Sequence, residues 1–199
     1  QLAKTIRNIR KMKSTELSQE ISRRLKKLGL PHAELIINID EIDHGEPLPN
    51  GMETIEFLIK TNPSQEPLSL SKVASGGELS RVSLALQSTV AVQSNIPASI
   101  YDEVDSGIGG STAKIVGKNL QQISEKNQVI CITHSAQVAC AGNHHFSITK
   151  KQNDKDTTVE VEYLNDSERE KEVARMLGNT EQGKVAIEHA RQLLQDATH

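Results

Sequence analysis

The sequence predicts an α/β fold. A mainly parallel sheet is covered by helices, and an antiparallel strand pair and a coiled-coil-like N-terminal helix come before it. Three observations predict this. From residue 72 onward, helical apolar stripes alternate with short apolar runs of strand length, the pattern of strands buried between helices. Between residues 35 and 59, two segments of alternating apolar residues flank a stretch containing Gly and Pro, as in an antiparallel pair. Residues 2–28 carry an apolar side chain at mostly every third or fourth position, the spacing of a long amphipathic helix.

The N-terminal stripe is Leu2, Ile6, Ile9, Met12, Leu17, Ile21, Leu25 and Leu28. Its five-residue step between Met12 and Leu17 predicts a shift of stripe or a stutter, and Gly29 and Pro31 end the helix. No partner stripe stands beside it, so the expectation is a chain that begins partway along a longer antiparallel arm. Leu35, Ile37 and Ile39 alternate, as do Ile55, Phe57 and Ile59, with residues 41–53 as the loop between them. A helical stripe of Leu79, Val82, Leu86 and Val90 precedes a strand at Ala98–Asp102. Ala113, Val116, Leu120 and Ile123 mark a second helix before a strand at Val129–Thr133. Further strands are expected near Phe146–Thr149 and Val159–Leu164, and terminal helices from near Ser167 and Thr180. Ser167 and Glu170 have capping-box spacing, and Gly178 is placed to stop the first terminal helix.

Composition narrows the class. A chain of 199 residues suits one domain, or one with an appendage. The longest apolar runs, Val129–Ile132 and Val138–Ala141, are four residues long, far short of the roughly 20 that span a membrane. No apolar segment follows the first basic residues, so no secretory signal is visible. Cys131 and Cys140 are the only cysteines, too few for a disulfide framework or a zinc site, and the expected compartment is the cytoplasm. With two Phe, two Tyr and no Trp, the chain is a poor base-stacking platform for single strands. Residues 1–30 hold nine Lys/Arg against two Glu, whereas the remainder holds 14 basic and 24 acidic residues. Such a basic helix reads either as a nucleic-acid contact or as a solvated amphipathic face.

Three segments carry chemistry. In Ser75-Gly76-Gly77-Glu78-Leu79-Ser80-Arg81, Ser75 and Glu78 have N-cap and N3 spacing, and two glycines stand in the first turn. Exposed backbone N–H groups there, with the helix dipole, favour an anion; a plainly capped helix start is the bland reading. In Ser99-Ile100-Tyr101-Asp102-Glu103 an apolar strand ends in two acids, at the carboxyl edge where α/β sheets bind ligands. One carboxylate there can hold Mg²⁺ through its water shell, and its neighbour can orient a water toward a phosphoryl group; a solvated strand end is the alternative. Val129–Thr133 is followed by His134 and Ser135, and between the two strands lies Asp105-Ser106-Gly107-Ile108-Gly109-Gly110. Two near matches fail. Gly178, Gly183 and Lys184 carry Val185 where a phosphate loop needs a hydroxyl, and Gly107, Gly109 and Thr112 lack the last glycine of a dinucleotide fingerprint. Adjacent His144 and His145 would point to opposite faces of a strand, so they are no metal pair.

The order of these segments resembles the second lobe of an ABC-type ATPase head. Ser75–Arg81 is similar to the signature motif, Asp102 and Glu103 to the Walker B pair, Asp105 onward to the D-loop, and His134 to the switch histidine. The Gly-Gly-Glu-Leu-Ser-Arg form resembles the chromosome-maintenance (SMC) branch. Lys72–Arg81, Asp102–Gly110, Thr133–Ala139 and Val173–Gly178 together resemble the RecN family of bacterial DNA-repair ATPases, of which this chain would be the C-terminal part. The resemblance implies a returning arm helix over 1–30 and the C-terminal lobe of an ATPase head over 31–199. It also implies ATP and Mg²⁺ as cofactors. Glu103 and His134 would be catalytic, Asp102 would serve the metal, and Ser75, Gly76, Gly77, Glu78 and Asp105 would contact nucleotide. The implied partners are the N-terminal lobe of the same protein, a second head in a homodimer, and DNA. No membrane is implied, and the expected place is the cytoplasm, at the nucleoid. The phosphate loop would come from the N-terminal lobe, so this piece alone is expected not to hydrolyse ATP.

Overall fold

The computed structural model describes residues 1–42, 49–73, 75–90, 96–152, 157–178 and 183–198. They form two compact units: Gln1–Ile96 with Asp102–Ser106, and Pro97–Tyr101 with Gly107–His199.

In the first unit, helix α1 runs from Leu2 to Lys27. Its end is built as predicted. Gly29 takes φ +84° and Leu30 N donates to Leu25 O at 3.1 Å, a glycine-closed last turn that satisfies carbonyls the helix leaves free. Ile21, Leu25, Leu28 and Leu30 are buried. Strands β1 (Glu34–Glu41) and β2 (Glu53–Lys60) pair antiparallel, with Leu35 opposite Ile59, Ile37 opposite Phe57 and Ile39 opposite Ile55. The expected loop closes with Ile42 N donating to Met52 O; its residues 43–48 lie outside the described residues. A two-residue strand β3 (Leu68–Ser69) adds to the other edge of β2, and a 3-10 turn follows at Leu70–Lys72. Neither is long enough to leave a periodic trace in sequence.

Helix α2 spans Gly76–Val90. Its buried face differs from the predicted stripe. Gly77, Arg81, Val82, Leu84 and Ala85 are buried, while Leu79 and Val90 are exposed. The reason lies at the helix start, where Gly77 and Arg81 pack on the segment Asp102–Ser106 and set the rotation of the helix.

In the second unit, β4 (Ala98–Asp102) and β5 (Gln128–Ile132) form a two-stranded sheet. Gln128 N donates to Pro97 O at 3.0 Å, so the strands start side by side and run parallel, with α3 (Gly110–Ser124) as the crossover. The predicted stripe of α3 is the buried one: Ala113, Val116, Leu120 and Ile123, with Gly117. A Cβ on Gly117 would stand 2.9 Å from the Cβ of Ala141, which explains a glycine where α3 meets the short helix α4 (Ala136–Ala139). Strands β6 (Phe146–Gln152) and β7 (Thr157–Tyr163) pair antiparallel as a separate ribbon. Among the described residues, parallel pairing is therefore confined to β4 and β5. The antiparallel pairing of β6 and β7 needs no crossover helix.

Helices α5 (Asp166–Met176) and α6 (Lys184–Thr198) follow, and Gly178 at φ +83° stops α5 as predicted. The capping box is two residues earlier than expected. Asn165 Oδ1 accepts from Glu168 N at 3.0 Å and Glu168 Oε2 accepts from Asn165 N at 2.9 Å, whereas Glu170 is taken by Arg191. The expected helix start at Thr180 lies outside the described residues. Ala136, Cys140, Val173, Ala174, Ala186 and Ala190 form the core that joins α4, α5 and α6. Among the described residues, no helix is long and apolar enough to cross a membrane.

Candidate functional site

The glycine-containing start of α2 and the acidic end of β4 are one construction. Ser75 accepts from Glu78 N through Oγ at 3.4 Å and from Leu79 N through its carbonyl at 3.0 Å, the N-cap role its spacing predicts. One turn on, Ser80 Oγ donates to Asp102 O at 2.7 Å. The buried Arg81 sends Nη1 to Val104 O at 3.2 Å and to Ser106 O at 2.7 Å. Two consecutive side chains of α2 thus hold both ends of the segment Asp102–Ser106. Burial pulls the Arg81 guanidinium below its ordinary pKa, opposed by the charges of Glu78 and Asp105, so the buried Asp105 carboxylate helps to keep this cation charged.

Between the two staples the chain makes a tight turn, with Ser106 N donating to Glu103 O at 2.9 Å. Glu103 occupies the left-handed region at φ +53°, alone among non-glycine residues described. Such a conformation costs on the order of 1–3 kcal/mol and persists only where the surroundings impose it. The turn lies directly on the helix start. A Cβ on Gly77 would stand 2.9 Å from the Glu103 carbonyl oxygen, and one on Gly76 would stand 3.4 Å from Glu103 Oε2. Val104 is fully buried behind them, while Asp102 and Glu103 are exposed.

The structure therefore brings together, in the first unit, seven of the eight residues predicted from sequence: Ser75, Gly76, Gly77, Glu78, Asp102, Glu103 and Asp105. His134 stands in the second unit, exposed, just past the end of β5. There Ser135 N donates to Thr133 Oγ1 at 3.0 Å, which turns the chain from β5 into α4. The sequence reading left out Ser80 and Arg81 as site-building residues. The hint was available: Gly77 and Arg81 are four apart, so they share one helix face. Nothing in the sequence marks the backbone of Glu103.

Among the described residues, no three His, Cys, Asp or Glu side chains could cage a metal ion. Mg²⁺ does not need such a cage, since it is usually bound by one or two carboxylates together with substrate phosphates and water. The exposed Asp102 carboxylate at a strand end fits that requirement. Five of the nine basic side chains in residues 1–30 are engaged by carboxylates of the chain itself. Arg7 and Arg10 are paired with Glu53, Lys13 with Glu16, and Arg23 and Arg24 with Glu20.

Over 190 residues the chain is 41% identical to the DNA repair protein RecN of Haemophilus influenzae, covering 96% of this chain and 34% of that protein. Along nearly its whole length the chain is similar to part of RecN. The RecN of Bacillus subtilis is 36% identical over 208 residues, covering 98% of this chain and 36% of its own length. The RecN of Deinococcus radiodurans is 40% identical over 171 residues, which is 85% of this chain and 29% of that protein. The chain thus spans about a third of the length of the curated RecN relatives it matches. No family model matches the chain. Among solved structures, the Smc head domain with a coiled coil and joint from Pyrococcus yayanosii superposes with a TM-score of 0.53 at 17% identity, over 96% of this chain and 30% of that one. A chain solved for the structural biochemistry of ATP-driven dimerization and DNA-stimulated activation of SMC ATPases gives 0.51 at 18% identity, over 88% of this chain and 99% of that one. At such identities the likeness is one of fold, and the fold is that of an SMC-type head.

Proposed function

We propose that this chain supplies the C-terminal lobe, residues 31–199, and the returning arm helix, residues 1–30, of an SMC-like ATPase acting in DNA repair and recombination. It rests on the RecN relatives and the SMC-type fold. The single observation that carries it is Glu103, held left-handed by Ser80 and Arg81 at the end of β4 and laid over the glycine start of α2. In this reading Asp102, as the Walker B aspartate, holds Mg²⁺ through water, and the ion supplies charge neutralisation for the phosphates when bound. Glu103 orients a water for in-line attack on the γ-phosphorus of ATP and accepts its proton, while the bond to the bridging oxygen breaks and ADP leaves. His134 donates to the γ-phosphate. Ser75, Gly76, Gly77 and Glu78 present the N-terminus of α2 to the nucleotide of a second head, where backbone N–H groups meet phosphate; Asp105, expected from sequence to contact nucleotide, is buried and instead supports the Arg81 cation behind them. The phosphate loop comes from the N-terminal lobe of the same protein, so ATP closes two heads in a homodimer and hydrolysis reopens them on DNA. The protein works in the cytoplasm, at the nucleoid.

The test is Glu103→Gln in the full-length protein. Hydrolysis should slow by about two orders of magnitude or more, the scale of a lost general base, while ATP-induced pairing of heads persists. Steady-state turnover equal to wild type would remove Glu103 from this role.

A further inference from the structure

The two halves of α1 are held by different forces. Ile21, Leu25 and Leu28 are fully buried, whereas Leu2, Ile6, Ile9 and Met12 are exposed at 79%, 36%, 52% and 56%. At about 100° per residue, the five-residue step after Met12 carries the apolar stripe off the sheet-facing side. The positions that continue the buried face toward the N-terminus are Ser14, Arg10 and Arg7. On this face Ala3 is half-buried, and the two arginines bond to carboxylates of the sheet. Arg7 Nε and Arg10 Nη1 donate to separate oxygens of Glu53, each at 2.8 Å, and Arg7 Nη1 lies 2.6 Å from Glu41 Oε1.

Glu53 is unusual for a strand carboxylate, with its side chain only 1% exposed. It lies directly opposite Glu41 in the β1–β2 register, a like-charge pair that repels unless cations intervene. Gly51 makes the room. At φ +107° its missing Cβ would stand 2.6 Å from Arg10 Nη1 and 2.9 Å from Glu53 Oε2. The two arginines hold the Glu53 carboxyl below its ordinary pKa and so in its charged form, and removing one member would leave a buried charge without its partner.

We infer that Glu53 is an ionic latch, which fixes the first three turns of α1 to the β1–β2 sheet and can release them while the second half of the helix stays packed. The charge–charge contacts fail with loss of either partner, whereas the Ile21–Leu25–Leu28 anchor does not depend on them. The latch is a positioning device for the helix and goes beyond the ATPase reading, on which it does not depend.

The test is hydrogen–deuterium exchange of this 199-residue chain, followed in peptides covering residues 3–13 and 17–28. In Glu53→Gln the first peptide should exchange faster by about tenfold or more, with the second within about twofold of wild type, since local opening spares the packed unit. Arg10→Lys, which keeps the charge, should restore most of the protection that Arg10→Gln loses. Arg7→Gln and Arg10→Gln, each of which leaves Glu53 one cation, should each accelerate the first peptide alone, and these arms hold even if Glu53→Gln does not fold. Unchanged exchange of residues 3–13 under all these conditions, or equal acceleration of both peptides, overturns the latch.

Discussion

Gly77→Ala probes the contact on which the site is built. The new Cβ would meet the Glu103 carbonyl oxygen and the Ser106 Cβ, both at 2.9 Å, and Arg81 Nη1 at 3.4 Å. The first two neighbours have little freedom to yield, because Glu103 O already accepts from Ser106 N and Ser106 O already accepts from Arg81. Forcing a methyl group into such a place costs about 1–3 kcal/mol. Replacing glycine by alanine within a helix returns at most about 1 kcal/mol, and less in a first turn. The net expectation is a loss of about 1–2 kcal/mol, or roughly 2–8 °C in Tm for a chain of this size. Gly76→Ala is the internal control, since its Cβ would meet only the far end of the exposed Glu103 side chain, at 3.4 Å. That variant should lie within about 0.5 kcal/mol of wild type. Thermal and urea unfolding followed by circular dichroism measure both. If Gly77→Ala is as stable as Gly76→Ala, helix propensity outweighs the contact and the close approach of α2 to residues 102–106 is wrong.

Two further outcomes follow from the second unit. Asn165→Ala removes the side-chain half of the α5 capping box and should cost about 1 kcal/mol, while Ser167→Ala, beyond the cap, should cost little; equal losses in urea melts would return the cap to Ser167. Burial pushes the Cys140 thiol up to about 11 and the Tyr101 phenol up to about 12. The folded chain therefore holds these protons more tightly than the unfolded one. Their contribution is complete below pH 9, then is lost as pH rises through about 11 for Cys140 and about 12 for Tyr101. Tm should accordingly be level up to pH 9 and fall above it, and a level Tm to pH 11 would contradict the burial of both groups.

Much of the fold was legible because burial here follows local periodicity. The four positions read as the stripe of α3 are the ones it buries, and the alternating positions of β1 and β2 face one another across the sheet. Reading failed where two local solutions compete and packing chooses. Asn165 with Glu168 and Ser167 with Glu170 both offer a cap, and the first prevails. Leu164 N is bonded to His145 O beside the ribbon, so the helix can start at the next residue, and Glu170 is drawn to Arg191. It failed again at α2, where an arginine occupies the buried face. A polar side chain gives no apolar signal, and the two carbonyls at 104 and 106, with the charge of Asp105, make its burial tolerable.

The residues that the structure gathers at the start of α2 were legible as a list, but the contacts that hold them together were not. In sequence the signature segment and the Asp-Glu pair stand some twenty residues apart and read as two motifs. In the structure they are one piece, because Ser80 and Arg81 grip the turn at both ends and Gly77 lets it settle on the helix. Glutamate has no preference for the left-handed region, so the conformation of Glu103 belongs to these contacts and not to its own residue type. It follows that the helix start and the carboxylate cannot be varied independently. A change at Ser80 or Arg81 should release Glu103 toward ordinary backbone geometry without touching an acidic residue, and a change at Gly77 should displace it directly. The coupling between the start of α2 and the Glu103 carboxylate is thereby written into contacts that no motif records.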